Sequence, residues 1–310
     1  MNTRRNFLKN TLGAASLAGL GGIPMFSNAA STTTEKYNFV LNYGPHFGMF
    51  KELGGSDLLG QLDFMAAEGF RSFEDNGLMK RPADLQSKIG ERLAKLNLEM
   101  GVFVLDAGEN WKVSYTTGKK DLVDGFLKEC RLAVETAKRV NAKYMTVVPG
   151  YFSRDLPIGL QTANVIELYK RAVEIFEPHG LTMVMEPLSD NPDLFLRTSD
   201  QSYMICKAVG SPSCKILYDI YHMQKNEGRL IQHINWAWDE IAYFQIGDEP
   251  GRKEPTTGEI NYKNVFKHIY HKAKESKREF IFGMEHGNFG KGAEGERALI
   301  NAYKEVDKFL

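Results

Sequence analysis

Four polar side chains stand at the ends of four consecutive apolar runs in the second half of the chain. Leu181-Thr-Met-Val-Met leads into Glu186, Lys215-Ile-Leu-Tyr into Asp219, Ile241-Ala-Tyr-Phe into Gln245, and Phe280-Ile-Phe-Gly-Met into Glu285. A carboxylate carried on an apolar strand suffers a large desolvation penalty unless a cation or hydrogen-bond donors meet it, and three that converge also repel one another. A divalent cation answers both problems. Three carboxylates and an amide oxygen form a hard donor set that suits Mn²⁺ or Mg²⁺ and tolerates Co²⁺; with no His or Cys among them, zinc is disfavoured. Any one of these acids on its own reads as a helix cap, but four at successive strand ends read as one metal site.

Further residues fall near the same ends. His222 lies three positions beyond Asp219, close enough to face the same mouth and donate a hydrogen bond to a substrate hydroxyl. Arg252, in a loop rich in Gly and Pro, has the donors to grip a hydroxyl or carboxylate. His46, Glu74, Trp111 and Tyr151 follow or close the first four apolar runs and are weaker candidates for lining a substrate pocket, the aromatics by stacking on a sugar face.

The elements that must position these residues recur with a regular rhythm. Apolar or β-branched runs occur at 38–42, 71–75, 99–105, 143–148, 181–186, 214–219, 241–246 and 279–285. Segments with helical spacing lie between them, such as Leu58, Leu62, Met65 and Ala66, or Phe126, Cys130, Ala133, Val134 and Ala137. Strand followed by helix, repeated, requires a parallel sheet, because each helix carries the chain back to begin the next strand in the same direction. Eight repeats predict an α/β chain folded as a single-domain (β/α)₈ TIM barrel over 37–310, with its chemistry at the C-terminal strand ends. A doubly wound sheet is the competitor, but no GxGxxG follows the first strand.

At the candidate site residues the sequence also resembles a known family. Glu186-Pro187-Leu188, the segment YDIYHMQ (218–224) and the segment PGRKEPTTGEINY (250–262) resemble hydroxypyruvate isomerases and, more broadly, the xylose-isomerase-like barrels that include ketose 3-epimerases. The close match runs from Glu186 to Glu285. The resemblance implies metal coordination by Glu186, Asp219, Gln245 and Glu285, proton exchange with substrate by Glu186 and Glu285, and substrate oxygens held by His222 and Arg252. Gly247 and Glu249 depart from it, standing where those isomerases usually carry Ala and Asn. The expected activity is a metal-dependent isomerase or epimerase working through an enediolate. The alternatives are a lyase or dehydratase of oxidised sugars and a secreted sugar-binding barrel without catalysis.

Composition agrees with this and excludes other classes. With 43% hydrophobic and 25% charged residues, the chain has material for a sizeable core and is neither disordered, collagenous nor a coiled coil. Basic and acidic residues both number 39, so nucleic acid is not an expected partner; a small carbohydrate or hydroxy-carbonyl compound is. Self-association into a homo-oligomer is compatible with this composition. Thr3-Arg4-Arg5-Asn6-Phe7-Leu8-Lys9 and the Gly-rich apolar stretch after it read as a twin-arginine export signal over 1–29, with a polar spacer at 30–36. That stretch is too short to span ~30 Å of hydrocarbon, so the expectation is a periplasmic protein without a stable membrane anchor. Removing Arg4, Arg5 and Lys9 leaves an acidic excess. Cys130, Cys206 and Cys214 cannot all pair and read as small buried hydrophobes.

Overall fold

The computed structural model describes residues 36–310, so the segment read as an export signal, and the spacer up to residue 35, lie outside the described residues. Nine short strands form: β1 (Asn42–Gly44), β2 (Ser72–Phe73), β3 (Glu99–Met100), β4 (Val102–Val104), β5 (Tyr144–Val147), β6 (Thr182–Met185), β7 (Cys214–Asp219), β8 (Ile241–Gln245) and β9 (Ile281–Gly283). All ladders are parallel. Seven strands run in the order β1-β9-β8-β7-β6-β5-β4, and β2 pairs with β3. A parallel bridge between His46 and Glu74 joins β1 to β2, and Asp75 N donates to Val102 O at 3.3 Å beside β4. The ring is thereby closed as a TIM barrel.

Two expected strands come out differently, each for a visible reason. The first begins at Asn42 rather than at residue 38, because the amides of Val40 and Leu41 donate to the Asp307 carboxylate at 2.7 and 3.2 Å instead of entering the ladder. The third divides at Gly101, where the pairing partner changes from β2 to β5. A Cβ at Gly101 would fall 2.3 Å from the Tyr243 hydroxyl, so only glycine passes there.

The connections carry the outer helices Leu58–Glu68, Ala83–Leu96, Lys120–Val140, Ile158–Phe176, Ser199–Val209, Leu230–Ala237, Tyr262–Ser276 and Gly292–Val306. In Lys120–Val140, Val123, Phe126, Leu127, Cys130, Ala133, Val134 and Ala137 recur every three or four residues and are all buried against the strands. Asn141 then turns left-handed at φ 53° and ends the helix. No helix among the described residues is long and apolar enough to cross a membrane. All three cysteines are buried and unpaired.

Inside the barrel Val102, Val184, Leu217, Tyr243 and Ile281 form one buried cluster, each from a different strand. Successive strand residues alternate between faces, and this cluster therefore sets what stands above it. Two residues beyond Val184, Leu217 and Tyr243 come Glu186, Asp219 and Gln245; beyond Ile281 come Gly283 and then Glu285.

Candidate active site

The same alternation brings the strand-end residues into one mouth. One oxygen from each of Glu186, Asp219 and Glu285, with one ring nitrogen of His222, lie within 4.8 Å of one another. Asp219 and Gln245 are register partners on adjacent strands, so their side chains leave the sheet on the same face. Glu186, Asp219, His222 and Gln245 are all buried.

Asp219 serves two purposes. Its Oδ1 caps the short helix Ile220–Asn226, accepting from the amides of Tyr221 at 2.8 Å and His222 at 3.4 Å. That leaves Oδ2 facing the mouth, 3.6 Å from His222 Nε2 and 3.4 Å from Arg252 Nη2. The cap also fixes the first turn of the helix, and with it His222.

His222 Nδ1 accepts from the Ser189 amide at 3.2 Å, with the Ser189 hydroxyl 2.7 Å away. A nitrogen that accepts from a backbone amide carries no proton, so in the neutral ring the proton sits on Nε2. Nε2 lies 3.6–3.7 Å from Glu186 Oε1, Asp190 Oδ2 and Asp219 Oδ2. Burial, helped by the Arg252 charge, pushes the imidazole down to about 4. These contacts are therefore between a neutral N–H and carboxyl groups, and His222 is poised as a donor.

Arg252 comes from the loop after β8. Its Nη2 donates to Glu285 Oε2 at 2.7 Å, Nη1 lies 3.7 Å from Asp190, and the guanidinium lies 5.2 Å from the centre of the Tyr221 ring. The loop is built to hold it. Asp248 accepts from the amides of Gly258 and Ile260, its carbonyl accepts from the Arg252 amide at 2.8 Å, and Arg252 itself is left-handed at φ 48°. A Cβ at Gly258 would fall 2.0 Å from the Glu249 carbonyl, and one at Gly247 would come within 3.2 Å of Arg252 Cγ. Only glycine fits at 258, where the overlap is with backbone; at 247 the contact is with the flexible Arg252 side chain.

The electrostatics are those of an acidic cluster with too little positive charge. Burial raises the Glu186 carboxyl well above its ordinary range, and repulsion from Glu285 and Asp219 adds to this. Burial also raises Glu285 and Asp219, with Arg252 opposing in both. Glu74 is raised well above the usual range, again by burial first and then by Glu285.

Four buried polar atoms here have no hydrogen-bond partner among the described residues: the acceptors Glu186 Oε1 and Gln245 Oε1, and the nitrogens His222 Nε2 and Arg252 Nε. Orphaned acceptors beside repelling carboxyls are what a divalent cation would satisfy. Glu186, Asp219, Gln245 and Glu285 fit a hard ion; His222, with its proton on Nε2, fits a substrate oxygen instead.

A cavity of about 200 Å³ opens above, lined by Glu186, Glu285, Arg252, Asp190, Trp111 and Asn76 among others. Trp111 is half exposed at its rim. The other expected lining residues stand elsewhere. His46 bonds the carbonyls of Phe47 and His286, the Tyr151 hydroxyl accepts from Asn191, and Glu74 is buried beneath Gln245; none of the three lines this cavity.

Sequence reasoning passed over Asn76, whose Nδ2 donates to Glu285 Oε1 at 2.7 Å, and Asp190, which faces both His222 and Arg252. Each follows a flagged glutamate, two residues after Glu74 and four after Glu186, and that proximity was the available signal.

The molecule is a parallel barrel with three carboxylates, an amide and a histidine gathered at its C-terminal mouth, the end at which such barrels carry their sites. The chain belongs to the xylose isomerase-like TIM barrel family, whose match spans residues 62–303. It is 30% identical over 230 residues to hydroxypyruvate isomerase of Escherichia coli strain K12, covering 70% of this chain and 84% of that protein. Among solved structures, AP endonuclease, family 2 from Brucella melitensis superposes with a TM-score of 0.70 at 21% identity, covering 82% of this chain and 96% of that one. The 3-keto-D-glucoside 4-epimerase of E. coli gives 0.69 at 15% identity, covering 86% and 98%. At these identities the structural likenesses speak for the fold.

Proposed function

We propose that this protein is a divalent-metal-dependent isomerase or epimerase of small hydroxy-carbonyl sugars, acting by proton transfer at the carbon beside the carbonyl. The observation that carries this is the convergence of Glu186 and Glu285 with Asp219 and His222 within 4.8 Å, at the floor of a cavity of about 200 Å³. The kinship with hydroxypyruvate isomerase supports the reaction class.

Such a carbon acid is far too weak for an ordinary carboxylate to deprotonate. Glu186, Asp219, Gln245 and Glu285 would hold a Mn²⁺ or Mg²⁺ ion, which would supply Lewis-acid stabilisation worth several kcal/mol. The protein groups do the rest. Glu186, buried at the end of β6 and opening onto the cavity, is placed to exchange a proton with a bound substrate. Glu285 enters from β9, two strands away from β7, with Oε1 on Asn76 and Oε2 on Arg252. Two carboxylates on separate strands allow one to take the proton and the other to return it. His222 Nε2–H and Arg252 hold substrate oxygens, and Trp111 covers the sugar face.

The test is solvent exchange. Incubated in D₂O with Mn²⁺ and a panel of hydroxypyruvate, ketoses and 3-keto-glycosides, the protein is expected to label one substrate at the carbon beside its carbonyl, seen by NMR. Glu186→Gln and Glu285→Gln are expected to remain folded and lose that exchange; undiminished exchange in both variants refutes the assignment.

A further inference from the structure

Glu74 is a buried carboxylate, 1% exposed, with no cation within 4.0 Å among the described residues. A Leu or Met would fill the barrel interior at lower desolvation cost, so its presence asks for a reason. Both of its oxygens lie 3.3 Å from Gln245 Nε2. The chain also clears a path for it. A Cβ on Gly283 would fall 1.7 Å from Glu74 Oε1, and one on Gly101 would come 3.2 Å from Glu74 Cγ. Glu74 thus reaches from the end of β2 past β1 to β9 and β8 because two interior positions carry no side chain.

We propose that Glu74 is a positioning residue that fixes the Gln245 amide, with Nε2 turned down to the carboxylate and Oε1 presented to the Glu186–Asp219–Glu285 cluster. The two ends of a terminal amide are nearly alike in shape, and its last torsion is soft. Left alone, Gln245 would offer the cluster its NH₂ as readily as its oxygen, and an NH₂ cannot ligate a cation. Both Glu74 oxygens lie where they accept from Nε2, so turning Oε1 downward would set acceptor against acceptors and leave the NH₂ beside the ion. Gln245 Oε1 is buried and without a partner, as this role requires. The inference rests on the reading of Gln245 as a metal-facing residue, and it makes Glu74 a determinant of metal affinity without contact to metal or substrate.

The experiment is calorimetric titration of EDTA-stripped full-length protein with Mn²⁺. Glu74→Met, which keeps the volume and removes the acceptor, is expected to weaken binding about 10–100-fold, the usual effect of losing a group that orients a metal ligand. Glu74→Gln keeps a carbonyl acceptor and is expected to stay within about threefold of the parent. Gln245→Glu sets carboxylate against carboxylate, and adding Glu74→Gln to it supplies a donor again; that double variant is expected to bind at least about tenfold more tightly than Gln245→Glu alone. Equal affinity of the parent and a folded Glu74→Met overturns the proposal. Should Glu74→Met not fold, equal affinity of Gln245→Glu and the double variant overturns it. If the parent itself binds no Mn²⁺, the metal reading fails first.

Discussion

Arg252 Nη2 lies 2.7 Å from Glu285 Oε2 and 3.4 Å from Asp219 Oδ2, so a single guanidinium from one loop ties together the ends of β7 and β9. Glu285 and Asp219 hold Arg252 above its ordinary range against the pull of burial. Its positive charge competes with any bound cation for the same carboxylates. Arg252→Gln is expected to tighten Mn²⁺ binding by about tenfold, or ~1.4 kcal/mol of relieved repulsion, while turnover falls by about 100-fold as a substrate-holding group is lost. Calorimetry and steady-state rates on one preparation check the opposite signs.

The Ser189–His222 hydrogen bonds predict a definite tautomer. At pH 7.5 the ¹⁵N spectrum of the metal-free protein is expected to show His222 neutral, with the proton on Nε2 and Nδ1 bare. A spectrum with Nδ1 protonated would contradict the donor role given to this ring.

Gly283 and Glu74 predict a steric coupling. Gly283→Ala is expected to destabilise the fold by about 1–3 kcal/mol, as overpacking does, because its Cβ would overlap the Glu74 carboxyl. Urea unfolding of Gly283→Ala with and without Glu74→Ala measures the coupling. Relief in the double variant is the expected result.

Tyr169 predicts the alkaline limit of stability. It is buried, its hydroxyl has no partner among the described residues, and burial holds its ionisation well above 10.0. The unfolded chain releases this proton near pH 10 while the folded one retains it. The stability conferred is therefore complete below pH 10 and declines above it by about 1.4 kcal/mol per pH unit for this one group. Tyr169→Phe is expected to gain about 1 kcal/mol at pH 7 by removing an unsatisfied hydroxyl, and to widen its advantage above pH 10. Urea titrations at pH 7 and pH 11 decide it.

The barrel and the four strand-end residues were legible because both follow from local pattern. Alternating strand and helix signals admit few topologies, and a polar residue closing an apolar run is visible in any one segment. Trp111 at the cavity rim was found in the same way. Glu74, His46 and Tyr151 were placed at strand ends correctly, but sequence position does not say whether a side chain meets the cavity, the barrel axis or a neighbouring loop. The start of β1 departs from the local pattern because its competitor for hydrogen bonds, Asp307, lies 267 residues from Val40.

What the chain determined by itself is the set of groups and their height in the barrel: period two along each strand lifts Glu186, Asp219, Gln245 and Glu285 above an apolar layer. Tertiary structure decided which way those groups point. The Gln245 amide is oriented by a carboxylate 171 residues away, the Glu285 carboxylate by Asn76 and Arg252, and the His222 ring by Ser189. A side chain's last torsions are soft, and only the groups that closure of the barrel brings against them select among their orientations.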